Sequence, residues 1–177
     1  MQDITERKKA EQNLIFLHNH DFLTGLFNRG YFEKELRKLD VVENLPLSII
    51  MADTNGLKMI NDSFGHDSGD ELLKKSAQAI TQACRAQDLV VRYGGDEFVI
   101  VLPRTNYEEA LKIASAMKEL ALQEKVANIE ISISYGCSTK QAEHESIMEI
   151  LANAENHMYS HKLSERSSMR SKTTEII

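Results

Sequence analysis

The stretch "VVRYGGDEFVIVLP", Val90 to Pro103, constrains the fold of this chain more than any other segment. Two apolar runs flank a pair of glycines, the pattern of a β-hairpin, because glycine reaches the positive φ that tight hairpin turns use. Val99, Ile100, Val101 and Leu102 suit a buried strand. A hairpin makes two strands antiparallel, so the sheet is not a purely parallel one. The hairpin also leaves Asp96 and Glu97 at its tip. Taken alone, these acids read either as solvated turn residues or as ligands.

Strands and helices alternate around this hairpin. Residues 3–18 read as an exposed, charge-rich helix, with too short a heptad pattern to establish a coiled coil. "DFLTGLFNRGYF" places Gly25 in a turn and Asn28 as the N-cap of a helix to about Leu39. "LPLSIIMAD" is an apolar strand ending on Asp53, and "NDSFGHDSGD" is dense in turn formers, with Asp67 or Ser68 available to cap the next helix. "DSGDELLKKSAQAITQACRAQ" is that helix, with Leu72, Leu73, Ser76, Ala77, Ile80 and Cys84 on one face, ending in the charged "RAQD". "NYEEALKIASAMKELALQ" is a second amphipathic helix, with Ala110, Ile113, Ala114, Met117 and Ala121 in its stripe. "NIEISISYGCS" alternates as a half-buried strand, "SIMEILANAENHMYSHKL" is a last helix, and the polar tail from Ser164 reads as loose. The expected fold is an α/β (α+β) sandwich of one sheet with helices packed on it.

At 177 residues, 42% of them hydrophobic, the chain is long enough for one domain with short extensions. A net charge of -6 without a basic stripe argues against nucleic acid as a partner. Cys84 and Cys137 have no CxxC spacing and fall in apolar-periodic segments, so they read as buried thiols in a reducing compartment. No apolar run approaches the roughly 20 residues of a membrane helix. The expectation is a cytoplasmic chain without direct membrane contact; a membrane-anchored parent protein stays open.

If the Asp53 strand neighbours the hairpin, three carboxylates converge on one sheet edge. Close carboxylates repel unless protonated or neutralised by a cation. Hard oxygen donors suit Mg²⁺, which takes one or two carboxylates plus substrate phosphates and clamps attacking and leaving oxygens in phosphoryl transfer. Backbone at Gly56 is open to a phosphate, and Lys58 is a point charge for a triphosphate. Asn61 and Asp70 can pair with a guanine edge, or they can belong to an ordinary Asx-rich loop.

The string "GGDEF" at Gly94–Phe98, with "DFLTGLFNR" at Asp21–Arg29, the Asp53–Asp70 segment and "MYSHKLSER" at Met158–Arg166, closely resembles the GGDEF family of diguanylate cyclases. The resemblance runs from about residue 19 to 166. It implies condensation of two GTP into cyclic di-GMP with release of two pyrophosphates. It also implies a palm-like fold similar to nucleotidyl cyclases and polymerases, a central, mainly antiparallel sheet of about five strands wrapped by helices. Asp53, the backbone carbonyl of Thr54 and Asp96 match the ligands of Mg²⁺ (or Mn²⁺), and Asp96 is also linked to activating the 3′-OH. Glu97 matches the second acid of the turn, and Asn61 and Asp70 the guanine readers. Lys58, Lys162 and Arg166 match the phosphate-contacting cations, and Gly94 and Gly95 keep the turn open to the nucleotide. "RAQD", with Arg85 and Asp88, stands where many members carry a product-inhibition site. Its plain reading is a charged helix end.

Departures from the family pattern are Asn55 for the usual second acid, Gly56-Leu57 for His-Phe, His161 and Glu165 for a small residue and Gly, and Glu155 for Asp. Glu165 places a negative charge near Arg166. "DITERKKAEQNL" looks like the helical linker leaving a PAS sensor domain, so residues 1–18 are expected to join an upstream sensor, 19–166 to form the domain, and 167–177 a tail. One GTP per subunit implies a homodimer for catalysis. The alternative is a degenerate domain that binds GTP or cyclic di-GMP and regulates an attached partner.

Overall fold

Eight residues, Leu47–Thr54, form the strand (β1) on which the architecture is built, and all eight are buried. A computed structural model describes the backbone of residues 2–174 and the side chains of residues 3–166. β1 is buried on both faces because it has neighbours on both sides and helices above and below. The hairpin strands Leu89–Arg92 (β2) and Glu97–Leu102 (β3) and the late strand Ile133–Lys140 (β6) complete a sheet of order β2-β3-β1-β6, antiparallel throughout. Two short strands, Lys125–Val126 (β4) and Ile129–Glu130 (β5), form a separate ribbon. The central sheet therefore has four strands rather than about five. The expected "NIEISISYGCS" strand is split between β5 and β6.

Alternation along β1 sorts the two faces. Ile50 and Ala52, with Phe98 and Ile100 opposite, pack under helices His66–Ala83 (α4) and Tyr107–Leu122 (α5) through Leu72, Leu73, Ala77, Ile80, Ala110, Ala114, Met117 and Ala121. Ile49 and Met51, with Val99 and Val101, pack under Arg29–Leu39 (α2) and Ile147–Thr174 (α6) through Phe32, Leu36, Ile150, Leu151, Ala154 and Met158. The two helical layers explain why β6 is buried on both faces instead of half-buried. At Gly136 the α6 backbone lies against the strand: a Cβ there would be 2.2 Å from the Met158 nitrogen.

Asn28 caps α2, its side chain accepting from the Tyr31 N–H at 2.9 Å, as its sequence position implies. The exposed amino-terminal helix is Gln2–Asn19 (α1). Three readings need correction. Leu57–Phe64 is a helix (α3), not a loop, bounded by Gly56 and Gly65 in positive-φ conformations. α4 begins at His66 after Gly65, so neither Asp67 nor Ser68 is its cap, and it ends at Ala83, which puts Arg85–Asp88 in a turn beyond it. α6 continues through Ser164 to Thr174, where a loose tail is expected; residues 175–177 lie outside the described residues. Cys137 is buried and Cys84 half-buried; both are free, and burial pushes both thiols up to about 12. No helix among the described residues is long and apolar enough to cross a membrane.

Candidate active site

The register of the sheet brings the acids together. Asp53 and Glu97 are direct partners across β1 and β3, so both side chains leave the sheet on the α6 face. The Thr54 N–H donates to the Asp96 carbonyl at 2.9 Å, hooking the acidic turn onto the end of β1. The Tyr93 and Gly94 N–H groups close the turn on the Glu97 carbonyl at 2.8 and 3.2 Å. The acids thus stand at the end of two central strands rather than on a sheet edge. Neither Gly94 nor Gly95 adopts the positive φ expected of them. They supply clearance: a Cβ on Gly94 would come within 3.4 Å of the Glu97 carboxylate, and at Gly95 the space is open.

Asp53 is 5% exposed, and Lys162 of α6 donates to its Oδ1 at 2.9 Å. Burial lifts the Asp53 carboxyl above its ordinary range; the Lys162 hydrogen bond opposes this, and the Asp96 charge adds to it. Glu97 is likewise raised, by burial first and then by Asp53, Asp96 and Glu155. Negative charge here exceeds what Lys162 and the nearby Arg166 neutralise. The three side chains are not gathered: among the described residues no group of three acidic, histidine or cysteine side chains stands ready around one ion. Asp53 is paired with Lys162 instead. Carboxylate oxygens with uncompensated charge nonetheless fit a hard divalent cation.

The opposite face carries the other expected residues. Thr54 points away from Asp53, is fully buried, and its Oγ1 has no hydrogen-bond partner. Gly56, at φ +80°, starts α3 directly after β1, with exposed Lys58 in the first turn. Asn61 on α3 packs against Gly69 of α4, where a Cβ would meet its Oδ1 at 1.8 Å. That Oδ1 is buried and unpartnered, an acceptor left without a donor at a cost of about 1–3 kcal/mol. Exposed Asp70 follows Gly69. The α3–α4 corner therefore brings Asn61 next to the segment carrying Asp70.

Arg85 and Asp88 are paired with each other. The Arg85 N–H, Nε and Nη2 all donate to the Asp88 carboxylate, and Nη2 also reaches Thr105 Oγ1. The Asp88 side chain is fully covered, whereas Arg85 is about a third exposed. Glu165 does not face Arg166. Lys118 of α5 and the Ser134 hydroxyl of β6 both donate to it. Arg166 is exposed on α6.

Sequence reasoning missed Arg92. Its guanidinium donates to both oxygens of Asp21 at 3.1 Å and to the Gly95 carbonyl at 2.8 Å. This ties the segment after α1 to the acidic turn. A signal exists in the sequence, since Asp21 opens one recognised motif and Arg92 immediately precedes the Tyr93–Gly95 turn.

A family model described as "Diguanylate cyclase, GGDEF domain" matches residues 18–168. Among curated proteins the chain is 33% identical over 165 residues to the diguanylate cyclase DgcM of Escherichia coli, covering 90% of this chain and 40% of that protein. It is 36% identical over 160 residues to the response regulator PleD of Caulobacter vibrioides, covering 84% and 35%. The chain spans well under half the length of these relatives. Among solved structures, the GGDEF domain of TpbB (YfiN) from Pseudomonas aeruginosa superposes with a TM-score of 0.73 at 34% identity, over 82% of this chain and 89% of that one. The coiled coil and GGDEF domain of DgcB from Caulobacter crescentus, in complex with c-di-GMP, shares the fold with a TM-score of 0.83 at 20% identity, over 92% and 90%.

Proposed function

This chain belongs to the GGDEF family of diguanylate cyclases, and on that premise we propose that it condenses two GTP into cyclic di-GMP and two pyrophosphates. The observation that carries the proposal is the Asp53–Glu97 pair in register, with Asp96 hooked to Thr54 and the charge of the cluster only partly compensated by Lys162. Asp53, the Thr54 carbonyl and Asp96 would hold Mg²⁺ or Mn²⁺. The ion, when bound, neutralises triphosphate charge and acidifies the 3′-OH. Asp96 accepts the 3′-OH proton as the O3′–P bond forms and the bond to pyrophosphate breaks, and Glu97 supports the acidic turn. Lys58, Lys162 and Arg166 bind phosphate oxygens, and Gly94 and Gly95 let the backbone approach the nucleotide. One GTP per domain requires two domains face to face, so the working unit is a homodimer. Residues 19–166 form the catalytic domain, and residues 1–18 link it to an upstream sensor in a cytoplasmic signalling protein. Incubation with GTP and Mg²⁺ followed by nucleotide chromatography tests the reading: cyclic di-GMP is expected, and unconsumed GTP overturns it.

Asn61 and Asp70 read guanine, the Asp70 carboxylate accepting from N1–H and N2–H₂ and the Asn61 amide meeting O6 or N3. GTP is expected to bind at least about a hundredfold more tightly than ATP, as in sites built on paired hydrogen bonds. Gly69→Ala, which pushes the Asn61 amide aside, should narrow that ratio. Comparable GTP and ATP affinities in the unmodified chain count against the assignment.

Cyclic di-GMP feeds back at Arg85 and Asp88. Because Asp88 is covered by Arg85, product has to be met first by the exposed edge of the Arg85 guanidinium. Calorimetry should show cyclic di-GMP affinity falling about tenfold or more in Arg85→Ala, the loss of a bidentate charged donor. Melting should fall too, since Asp88 is left buried without its cation. Equal product affinity in both proteins would mean that the turn is structural only.

A further inference from the structure

Lys162 and Arg166 both ride on α6, so whatever seats α6 places them. Asn55 and Glu165, two departures from the family pattern, are remote in sequence and joined in space. The Asn55 Nδ2 is 3.0 Å from both Ser132 Oγ and Ser134 Oγ, and Ser134 Oγ in turn donates to Glu165 Oε2 at 2.8 Å. Lys118 donates to the other Glu165 oxygen. Ser134 pairs with Asp53 across β1 and β6, so this chain of hydrogen bonds runs beside the acids on the α6 face. Burial opposes the Glu165 charge, but the Lys118 and Ser134 hydrogen bonds outweigh it and hold the carboxyl below its ordinary range.

The direction of these bonds depends on an amide at position 55. A serine hydroxyl has one proton to give. With Asn55 donating to it, Ser134 is free to give that proton to Glu165. An aspartate at 55 can only accept, so Ser134 would have to turn its proton toward residue 55. Glu165 would lose a donor and gain a like-charged neighbour.

We propose that Asn55, Ser134, Glu165 and Lys118 form one relay that positions Lys162 against Asp53, so that the effects of replacing Asn55 and Glu165 are coupled and do not add. The nucleotide consequence of this rests on the function proposed above.

The test uses the full chain, with Asn55→Asp, Glu165→Ala and their double variant, followed by thermal unfolding and by calorimetric binding of 3′-deoxy-GTP with Mg²⁺. This analogue lacks the attacking hydroxyl and reports binding without turnover. Each single variant should lower Tm by about 3 °C and weaken 3′-deoxy-GTP about fivefold. The double variant should melt no lower than Glu165→Ala alone, because the freed Ser134 proton satisfies the carboxylate introduced at position 55. In a Lys162→Met, Arg166→Met background, Glu165→Ala should leave nucleotide affinity unchanged; Glu165→Gln, which still accepts from Ser134, should recover part of the loss in the native background. Additive Tm losses overturn the relay. A fivefold loss that persists when both α6 cations are replaced overturns the positioning role. Failure of the unmodified chain to bind 3′-deoxy-GTP overturns the proposed function and the nucleotide consequence with it, while the melting cycle still decides the relay.

Discussion

Asp96→Ala is expected to lose cyclic di-GMP synthesis by about a hundredfold or more, the cost of removing one electrostatic element from a transition state, and Asp53→Ala should match it. The accompanying stability change distinguishes this from unfolding. Asp53 and Glu97 both have raised pKa values in the folded chain, through burial first and then through neighbouring charges that include Asp96. A carboxyl raised on folding binds its proton more tightly in the native state. Its stabilising contribution is present below the unfolded pKa and is lost as pH rises through the folded one. At neutral pH Asp53 and Glu97 therefore destabilise the empty fold, and deleting Asp96 relieves both. In chelator, Asp96→Ala should melt at or above the unmodified chain, whereas Mg²⁺ should raise Tm only in the unmodified chain. Turnover that survives both substitutions would remove the acids from the mechanism. Lost turnover together with a lower melting point in chelator would mean that Asp96 is structural.

Gly136→Ala should have the largest effect on stability. The added Cβ would lie 2.2 Å from the Met158 nitrogen and 2.3 Å from the Ala154 carbonyl oxygen. Both are α6 backbone atoms, so no rotamer change relieves the clash and the helix has to rise off β6. Overpacking of this kind costs about 3 kcal/mol or more, or roughly 6–12 °C in Tm for a chain of this size. Lys162 moves with the helix, so synthesis should fall as well. A melting point within about a degree of the unmodified chain would show that α6 accommodates the methyl group by sliding.

The hairpin and the strand ending on Asp53 are legible in the sequence because short apolar runs rich in β-branched residues favour strands locally, although the hairpin glycines act through clearance and not through positive φ. The same is true of the Asn28 cap, whose partner is three residues away. α3 is not legible. Asn61, Asp62 and Ser63 are turn formers, and their helical state is imposed by packing of Ile60 and by the two glycines that bracket the segment. The turn at Arg85 reads as helix because the apolar stripe reaches Cys84, whereas Asp88 takes the Arg85 N–H and stops the helix there. The helical run from Ser164 to Thr174 has no apolar stripe, but it contains no Gly or Pro to end it. The acids can be located from motifs. The Asn55–Ser134–Glu165 connection cannot, because three residues distant in sequence meet only once β6 and α6 are in place.

Alternation at the end of β1 gives the strand a phase as well as a composition. Asp53 projects toward α6 and Thr54 toward the α3–α4 layer, so consecutive side chains leave the sheet on opposite faces. Conservative exchanges among Ile49, Ile50 and Met51 keep that phase. Deleting any one of them would not, however apolar the remaining strand: a one-residue slip turns every later side chain over. Asp53 would then face the aliphatic layer under α4, and Thr54 would face Lys162. In this strand a change of count is a frameshift in space, and it would separate the acid of β1 from Glu97 without altering any of the three acids.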